Sequence, residues 1–120
     1  MYDPDNIFAK ILRGEIPCKK VYEDDHVLAF DDVNPQAPVH VLVIPKGAYE
    51  SLDDFSHDAS DREIAALFRA ASKIARDLGA AEKGYRILAN TGADGGQEVP
   101  HFHVHVFAAR RLGRMLARPE

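Results

Sequence analysis

The chain has 120 residues, a formal net charge of −4 at neutral pH and a single cysteine. This length fits one domain over residues 1–120, and a lone thiol excludes an intrachain disulfide and the paired-cysteine zinc motifs. The negative charge argues against binding polymeric nucleic acid, because phosphate neutralisation needs a basic face.

The N-terminal segment begins with acidic residues rather than the basic start of a secretory signal, and no apolar run reaches membrane-spanning length. We therefore expect a cytoplasmic protein that does not contact a membrane. Apolar residues then recur at helical spacing from Ile7 to Leu12, between a candidate cap at Asn6 and a stop at Gly14. This pattern predicts a short helix.

Three strands are predicted in the next part of the chain, which is rich in β-branched and aromatic residues. Lys20–Glu23 and Val27–Asp31 flank a polar turn, so we expect a hairpin. Residues 39–44 are nearly all apolar before Pro45, as in a strand buried on both faces. His40 interrupts that run.

A long helix is predicted to begin after Ser60, which can form a capping box with Glu63, and to end near Gly79. Its apolar residues form one stripe, which indicates packing against a sheet. Residues 85–89 and 102–107 supply two more strands, so the pattern is α+β. The stripe consists of Ile64, Leu67, Phe68, Ala71, Ile74, Ala75 and Leu78.

The last predicted strand and the residue just before it carry three histidines at alternate positions, His101, His103 and His105. Alternate side chains of a strand share a face, so the imidazoles form a row while the intervening apolar residues face the core. A lone histidine is most simply a satisfied core residue, but three in register favour a function.

Two kinds of chemistry fit this row. Two histidines at such spacing can chelate zinc with a third ligand from elsewhere, although the middle residue of a straight row cannot easily share a metal with both neighbours. Alternatively, a neutral imidazole attacks phosphorus while a hydrogen bond at its other nitrogen fixes its tautomer.

The segment before the histidines, residues 90–100, contains three glycines within residues 92–96. Taken alone, this is a flexible turn. Beside the histidines, it offers close backbone approach and clustered N–H groups that can face an anion, which favours a phosphate target. A basic cluster follows at Arg110, Arg111, Arg114 and Arg118, and we interpret it as a solvated tail.

The histidine row, followed by two apolar residues, resembles the signature motif of the histidine-triad (HIT) family. Residues 90–99 resemble the phosphate-binding loop of that family, and residues 32–46 resemble its other signature segment. The N-terminal apolar residues and the Pro-Gln-Ala-Pro stretch at 35–38 are most similar to its nucleotide-binding, purine nucleoside phosphoramidase branch.

The resemblance implies a HIT-like fold, namely a five-stranded antiparallel sheet with one long and one short helix, continued across a homodimer. It also implies roles for four histidines, without metal or cofactor. His103 would be the nucleophile that forms a nucleotidyl-histidine intermediate, and His105 would assist the leaving group. His101 and His40 would orient the other two and relay protons.

The resemblance further implies a nucleotide site. Asp32 would accept hydrogen bonds from the ribose hydroxyls. The α-phosphate would be held by Asn90, Gly96, Gln97, Glu98 and Val99. The base would be walled by Phe8, Ile11, Phe30 and Val33, which without the resemblance would be ordinary core residues.

The implied function is hydrolysis of the P–N bond of purine nucleoside 5′-phosphoramidates with release of AMP or GMP. The alternatives are a dinucleoside polyphosphate hydrolase, a nucleotide-binding regulatory module with little turnover, and a zinc-binding protein. Glu98 stands where many members of the branch carry serine, and the C-terminal tail has no tryptophan. A carboxylate at this position would disfavour anionic leaving groups.

Overall fold

The computed structural model describes residues 1–116. Its strands form one antiparallel sheet in the order β1-β2-β3-β5-β4, which confirms the predicted α+β class and five-stranded sheet. The elements in chain order are α1 (Ile7–Leu12), β1 (Lys20–Glu23), β2 (Val27–Asp31), β3 (Val39–Pro45), α2 (Leu52–Asp58), α3 (Asp61–Asp77), β4 (Arg86–Leu88), α4 (Gly92–Gly95) and β5 (Val104–Ala108).

Local sequence signals explain the ends of α1 and α3. The Asn6 side chain accepts a hydrogen bond from the Ala9 N–H at the start of α1. Ser60 and Glu63 form the predicted capping box at the start of α3, and Gly79 follows that helix at a φ of +78°. Both helices therefore confirm the predictions.

The buried face of α3 is narrower than the predicted stripe. Leu67, Ile74 and their alanine neighbours are buried against the sheet, but Phe68 is 42% exposed and Leu78 is 47% exposed. Phe68 is turned about 100° around the helix from Leu67, and Leu78 lies after the last helical residue. The prediction that these two residues join the core was wrong.

The two faces of the sheet hold two separate apolar clusters. One face carries the valines of β2, β3 and β5 and packs against α3. The opposite face carries Leu28, Phe30, Leu42 and Ile44, and Phe8 of α1 packs on it. Because strand residues alternate between faces, His40 and His105 project on the same side as α1.

The structure differs from the sequence predictions at β4, β5 and α2, and also at the glycine turn, which forms α4. β5 begins at Val104 rather than at residue 102, and its pairing with β3 stops at Val43. Pro45, two residues further along β3, has no N–H to continue the ladder. β4 is also shorter than predicted, and α2 was missed although Ser51 caps it with a capping box.

None of the helices in residues 1–116 is long and apolar enough to cross a membrane. In the predicted basic tail, Arg110, Arg111 and Arg114 are exposed, whereas Arg118 lies outside the described residues.

Candidate active site

The three histidines of the motif lie on the α1 side of the sheet. His101 and His103 belong to the irregular segment before β5, and His105 lies within β5. The ring centroids of His103 and His105 are 5.1 Å apart, and the ring of Phe8 meets His103 edge-on at 5.0 Å. His101 and His103 are buried, whereas His105 is half-buried.

Hydrogen-bond partners assign the protons of His101 and His103. Nε2 of His101 lies 2.8 Å from the Pro45 carbonyl oxygen, so this nitrogen carries the proton. Nδ1 of His103 lies 2.7 Å from the His101 carbonyl oxygen and likewise donates. A neutral His103 therefore has its lone pair on Nε2.

The Nε2 atom of His103 is open to a ligand. This atom has no hydrogen bond within the described residues, and no buried side-chain nitrogen or oxygen there lacks a partner. It therefore retains solvent access although the residue as a whole is 6% exposed. The site presents a bare imidazole nitrogen at its surface.

His40 and His105 form a second hydrogen-bonded pair. The backbone N–H of Gln36 donates to Nδ1 of His40 at 3.1 Å, so a neutral His40 carries its proton on Nε2. That Nε2 lies 2.9 Å from Nδ1 of His105 and donates to it. The remaining proton of a neutral His105 is then on Nε2.

Burial lowers the pKa of all four imidazoles. The effect is largest for His105, whose pKa falls to about 4 because His103 and His40 add to the effect of burial. The site is therefore neutral at physiological pH, which is the state that leaves a lone pair on His103.

Asp32, His40 and His105 place three potential metal-ligand atoms within 4.8 Å of one another. A carboxylate oxygen of Asp32 lies 3.4 Å from Nε2 of His40. However, the Gln36 N–H occupies the lone pair at Nδ1 of His40, so Nε2 keeps a proton that a metal would have to displace. The donor set fits a hydrogen-bonded relay better than a metal site.

The predicted glycine turn is one turn of helix, α4, and the side chain of Gln97 holds it in place. Its amide oxygen accepts from the Gly92 N–H, and its amide nitrogen donates to the carbonyls of Glu50 and Val99. Both amide hydrogens of Gln97 are thus committed to the protein. The structure does not leave this side chain free for a phosphate.

Other residues of the predicted phosphate site keep open polar groups. The backbone N–H groups of Glu98 and Val99 and the side-chain amide of Asn90 make no hydrogen bond within residues 1–116. Gly96, at a φ of +77°, uses its N–H to close the turn onto Ala93. The loop therefore leaves the N–H groups of Glu98 and Val99 and the amide of Asn90 available to a ligand.

The residues predicted to wall the base are split between the core and the surface. Phe8 and Phe30 are buried and meet edge-on at 5.4 Å, and Ile11 packs beside them. Val33 is 90% exposed. It lines a cleft of about 670 Å³ that also borders Asp32 and His40.

A larger cleft of about 1010 Å³ lies between the end of α3, β4 and the segment after β5. Its lining contains no histidine, whereas the smaller cleft borders His40. Sequence reasoning missed the backbone partners at Gln36 and Pro45 and the hydroxyl of Tyr2, which lies 2.6 Å from Nδ1 of His101.

Within residues 1–116, the site thus combines an open imidazole nitrogen on His103, a hydrogen-bonded His40–His105 pair and a glycine turn with free backbone N–H groups. The HIT domain family model matches residues 13–112. The chain belongs to the histidine-triad family.

Relatives in this family are similar over almost the whole chain. An uncharacterised 13.2 kDa HIT-like protein of Azospirillum brasilense is 67% identical over 117 residues, 98% of this chain and 96% of the relative. The purine nucleoside phosphoramidase of Escherichia coli K12 is 46% identical over 113 residues, 94% of each chain.

Solved structures agree with the sequence matches. A histidine triad protein from Clostridium difficile superposes with a TM-score of 0.84 at 46% identity, covering 97% of this chain and 100% of the other. A HIT family hydrolase from Clostridium thermocellum has a TM-score of 0.87 at 40% identity, covering 93% and 97%. These relatives support assignment of this chain as an enzyme.

The low pKa of His105 predicts a loss of stability in acid. Between pH 6.5 and about 4 the unfolded chain protonates this histidine while the folded chain does not, so the free energy of unfolding falls as pH falls. Measured by urea unfolding, the free energy of unfolding of His105→Asn should fall less than that of the parent between pH 6.5 and about 4. The difference should be on the order of 2 kcal/mol. The exposed His57, changed to Asn, is the matched control. Equal declines in the parent and His105→Asn would contradict the prediction.

Proposed function

We propose that this enzyme hydrolyses the P–N bond of purine nucleoside 5′-phosphoramidates and releases AMP or GMP through a nucleotidyl-His103 intermediate. The observation that carries the proposal is the bare, solvent-accessible Nε2 of His103, whose Nδ1–H is held by the His101 carbonyl. The 46% identity to a purine nucleoside phosphoramidase supports the substrate class.

In the first step, the Nε2 lone pair of His103 attacks the α-phosphorus and the P–N bond breaks. The departing nitrogen needs a proton, and Nε2–H of His105 is the donor on the neighbouring ring. The negative charge of the bound phosphate favours uptake of one proton from solvent by the His40–His105 pair. This proton replaces the one that His105 gives to the departing amine.

In the second step, water displaces His103 from phosphorus. His105, neutral after the first step, accepts a proton from the water, the new P–O bond forms and the bond from phosphorus to Nε2 breaks. This restores the protonated His40–His105 pair. The pair releases that proton to solvent when the nucleotide leaves, so the cycle returns both imidazoles to their neutral starting states. Burial supports this chemistry because it keeps His103 unprotonated at neutral pH.

The nucleotide is proposed to bind across the 670 Å³ cleft and the glycine turn. The N–H groups of Glu98 and Val99 and the amide of Asn90 would contact the α-phosphate. Gln97 would act indirectly, by fixing the turn. One carboxylate oxygen of Asp32 accepts from the Asn34 N–H, and the group retains acceptor capacity for a ribose hydroxyl.

The covalent step predicts a specific loss of activity. With an adenosine phosphoramidate as substrate, His103→Ala should lose roughly 10³-fold or more in kcat, because the nucleophile is gone. His105→Asn should slow formation of the intermediate less severely. The measurements are AMP release and mass spectrometry of quenched enzyme, with the nucleotidyl group mapped to His103. His57→Ala is the control, and equal rates for His103→Ala and the parent would refute the proposal.

Glu98 is proposed to bias the choice of leaving group. It is exposed and forms no ion pair within the described residues, so its charge is not neutralised by the protein. A negative charge beside the phosphate loop attracts a cationic amine and repels an anionic group.

Glu98→Gln should therefore lower kcat/KM about fivefold for a substrate with a positively charged leaving amine, and should change it little for a neutral one. Glu82→Gln makes the same change in net charge outside the phosphate loop and serves as the control. The same loss for both leaving groups would show that Glu98 does not discriminate between them.

A homodimer joined through β4 is also proposed. β4 is an edge strand, and apolar side chains on it or close to it are 39% to 47% exposed, namely Leu78, Tyr85 and Ile87. Pairing of β4 with its copy would extend the antiparallel sheet and cover these side chains.

A charge at the centre of that edge should separate the two copies. Ile87→Asp is expected to give a monomeric mass by light scattering with an unchanged far-UV circular dichroism spectrum, because the aspartate would be buried in the interface. Leu52→Asp, at an exposed position on α2, should remain dimeric. A monomeric parent, or a dimeric Ile87→Asp, would disprove the proposed interface.

A further inference from the structure

The hydroxyl of Tyr2 contacts the histidine row from outside any element of the fold. It lies 2.6 Å from Nδ1 of His101, and the two rings meet edge-on with centroids 5.6 Å apart. His101 is fully buried and Tyr2 is half-buried. A residue near the start of the chain therefore reaches the histidine motif 99 residues away.

The direction of this hydrogen bond follows from the other side of the His101 ring. Nε2 donates to the Pro45 carbonyl, which can only accept, and burial keeps His101 neutral. Nδ1 is then an acceptor, so the Tyr2 O–H donates to it. The ring is held at both nitrogens, one by a hydroxyl and one by a backbone carbonyl.

Clamping the His101 ring also fixes the main chain that carries it. The carbonyl of that residue accepts the Nδ1–H of His103, at 2.7 Å. A shift of the His101 backbone on loss of the Tyr2 contact would weaken the hydrogen bond that selects the tautomer of His103. Tyr2 is thus connected to the His103 ring through two hydrogen bonds, one to the His101 side chain and one from Nδ1 of His103 to the His101 carbonyl.

We propose that Tyr2 is a positioning residue for His103. By donating to His101 it holds the His101 carbonyl where His103 needs it, and so keeps the lone pair of His103 on Nε2 and aimed into the site. The role of His103 as nucleophile is the proposed function above, on which the kinetic part of this inference rests. The effect on the tautomer of His103 does not depend on it.

Tyr2→Phe tests the proposal because it removes the hydroxyl and keeps the ring. With an adenosine phosphoramidate as substrate, kcat should fall about tenfold, because Nδ1 of His101 is left as an unpaired buried acceptor. KM should change less than about twofold. Two-bond ¹H–¹⁵N correlation spectra of the imidazoles should show His103 shifting from the Nδ1–H tautomer toward the Nε2–H tautomer. A purely structural role would change neither the tautomer nor kcat selectively.

Tyr22→Phe is the matched control. The hydroxyl of Tyr22 donates to Asp24 at 2.8 Å in the hairpin, on a half-buried tyrosine that makes no contact with the histidine row. This variant should keep the parent kcat and the parent His103 tautomer, and thermal unfolding of both variants separates global destabilisation from the local effect.

The outcomes separate the two proposals. An unchanged His103 tautomer in Tyr2→Phe, or equal loss of kcat in Tyr2→Phe and Tyr22→Phe, would overturn the positioning role. If the parent cleaves no phosphoramidate, the proposed function fails, but the tautomer measurement still decides the role of Tyr2.

Discussion

A neutral imidazole has one nitrogen that donates and one that accepts, and this constraint governs the whole site. Each of the four histidines has a fixed partner on at least one nitrogen, and three of these partners are backbone groups, namely the N–H of Gln36 and the carbonyls of Pro45 and His101. Backbone groups cannot exchange donor for acceptor, so they set the tautomers of His40, His101 and His103. The tautomer of His105 follows from that of His40.

Burial makes this arrangement effective. In water, a histidine at neutral pH would be partly protonated, and a protonated ring has no lone pair for attack. The apolar cluster around Phe8 and Phe30 excludes water from the same face of the sheet that carries the histidines. The lowered pKa values follow from this burial, which also destabilises the folded protein in acid.

The two faces of the sheet differ in what they carry: one packs against α3 in the larger core, and the other carries the histidines. On one face, α3 and the valines of three strands form the larger core, with Phe55 stacked on Phe102 at 4.8 Å. The other face carries α1 and the histidines, and a cleft of about 670 Å³ opens beside His40 and Asp32. The alternation of side chains along β5 assigns its residues to these two roles.

Short-range patterns were enough for the helix caps at Asn6 and Ser60, the hairpin and the same-face placement of the histidines, because each depends on residues only a few positions apart. The exposure of Phe68, the start of β5 at Val104 and the commitment of Gln97 to the protein depend on which distant groups pack or pair there. The tautomers of His101 and His105 depend on contacts with Pro45 and His40, 56 and 65 residues away. The tautomers of His40 and His103 are set by backbone groups only four and two residues away. Residue types alone could therefore indicate imidazole chemistry, but only the folded structure decides which nitrogen holds each proton, because folding brings the distant partners together and orients the nearby ones.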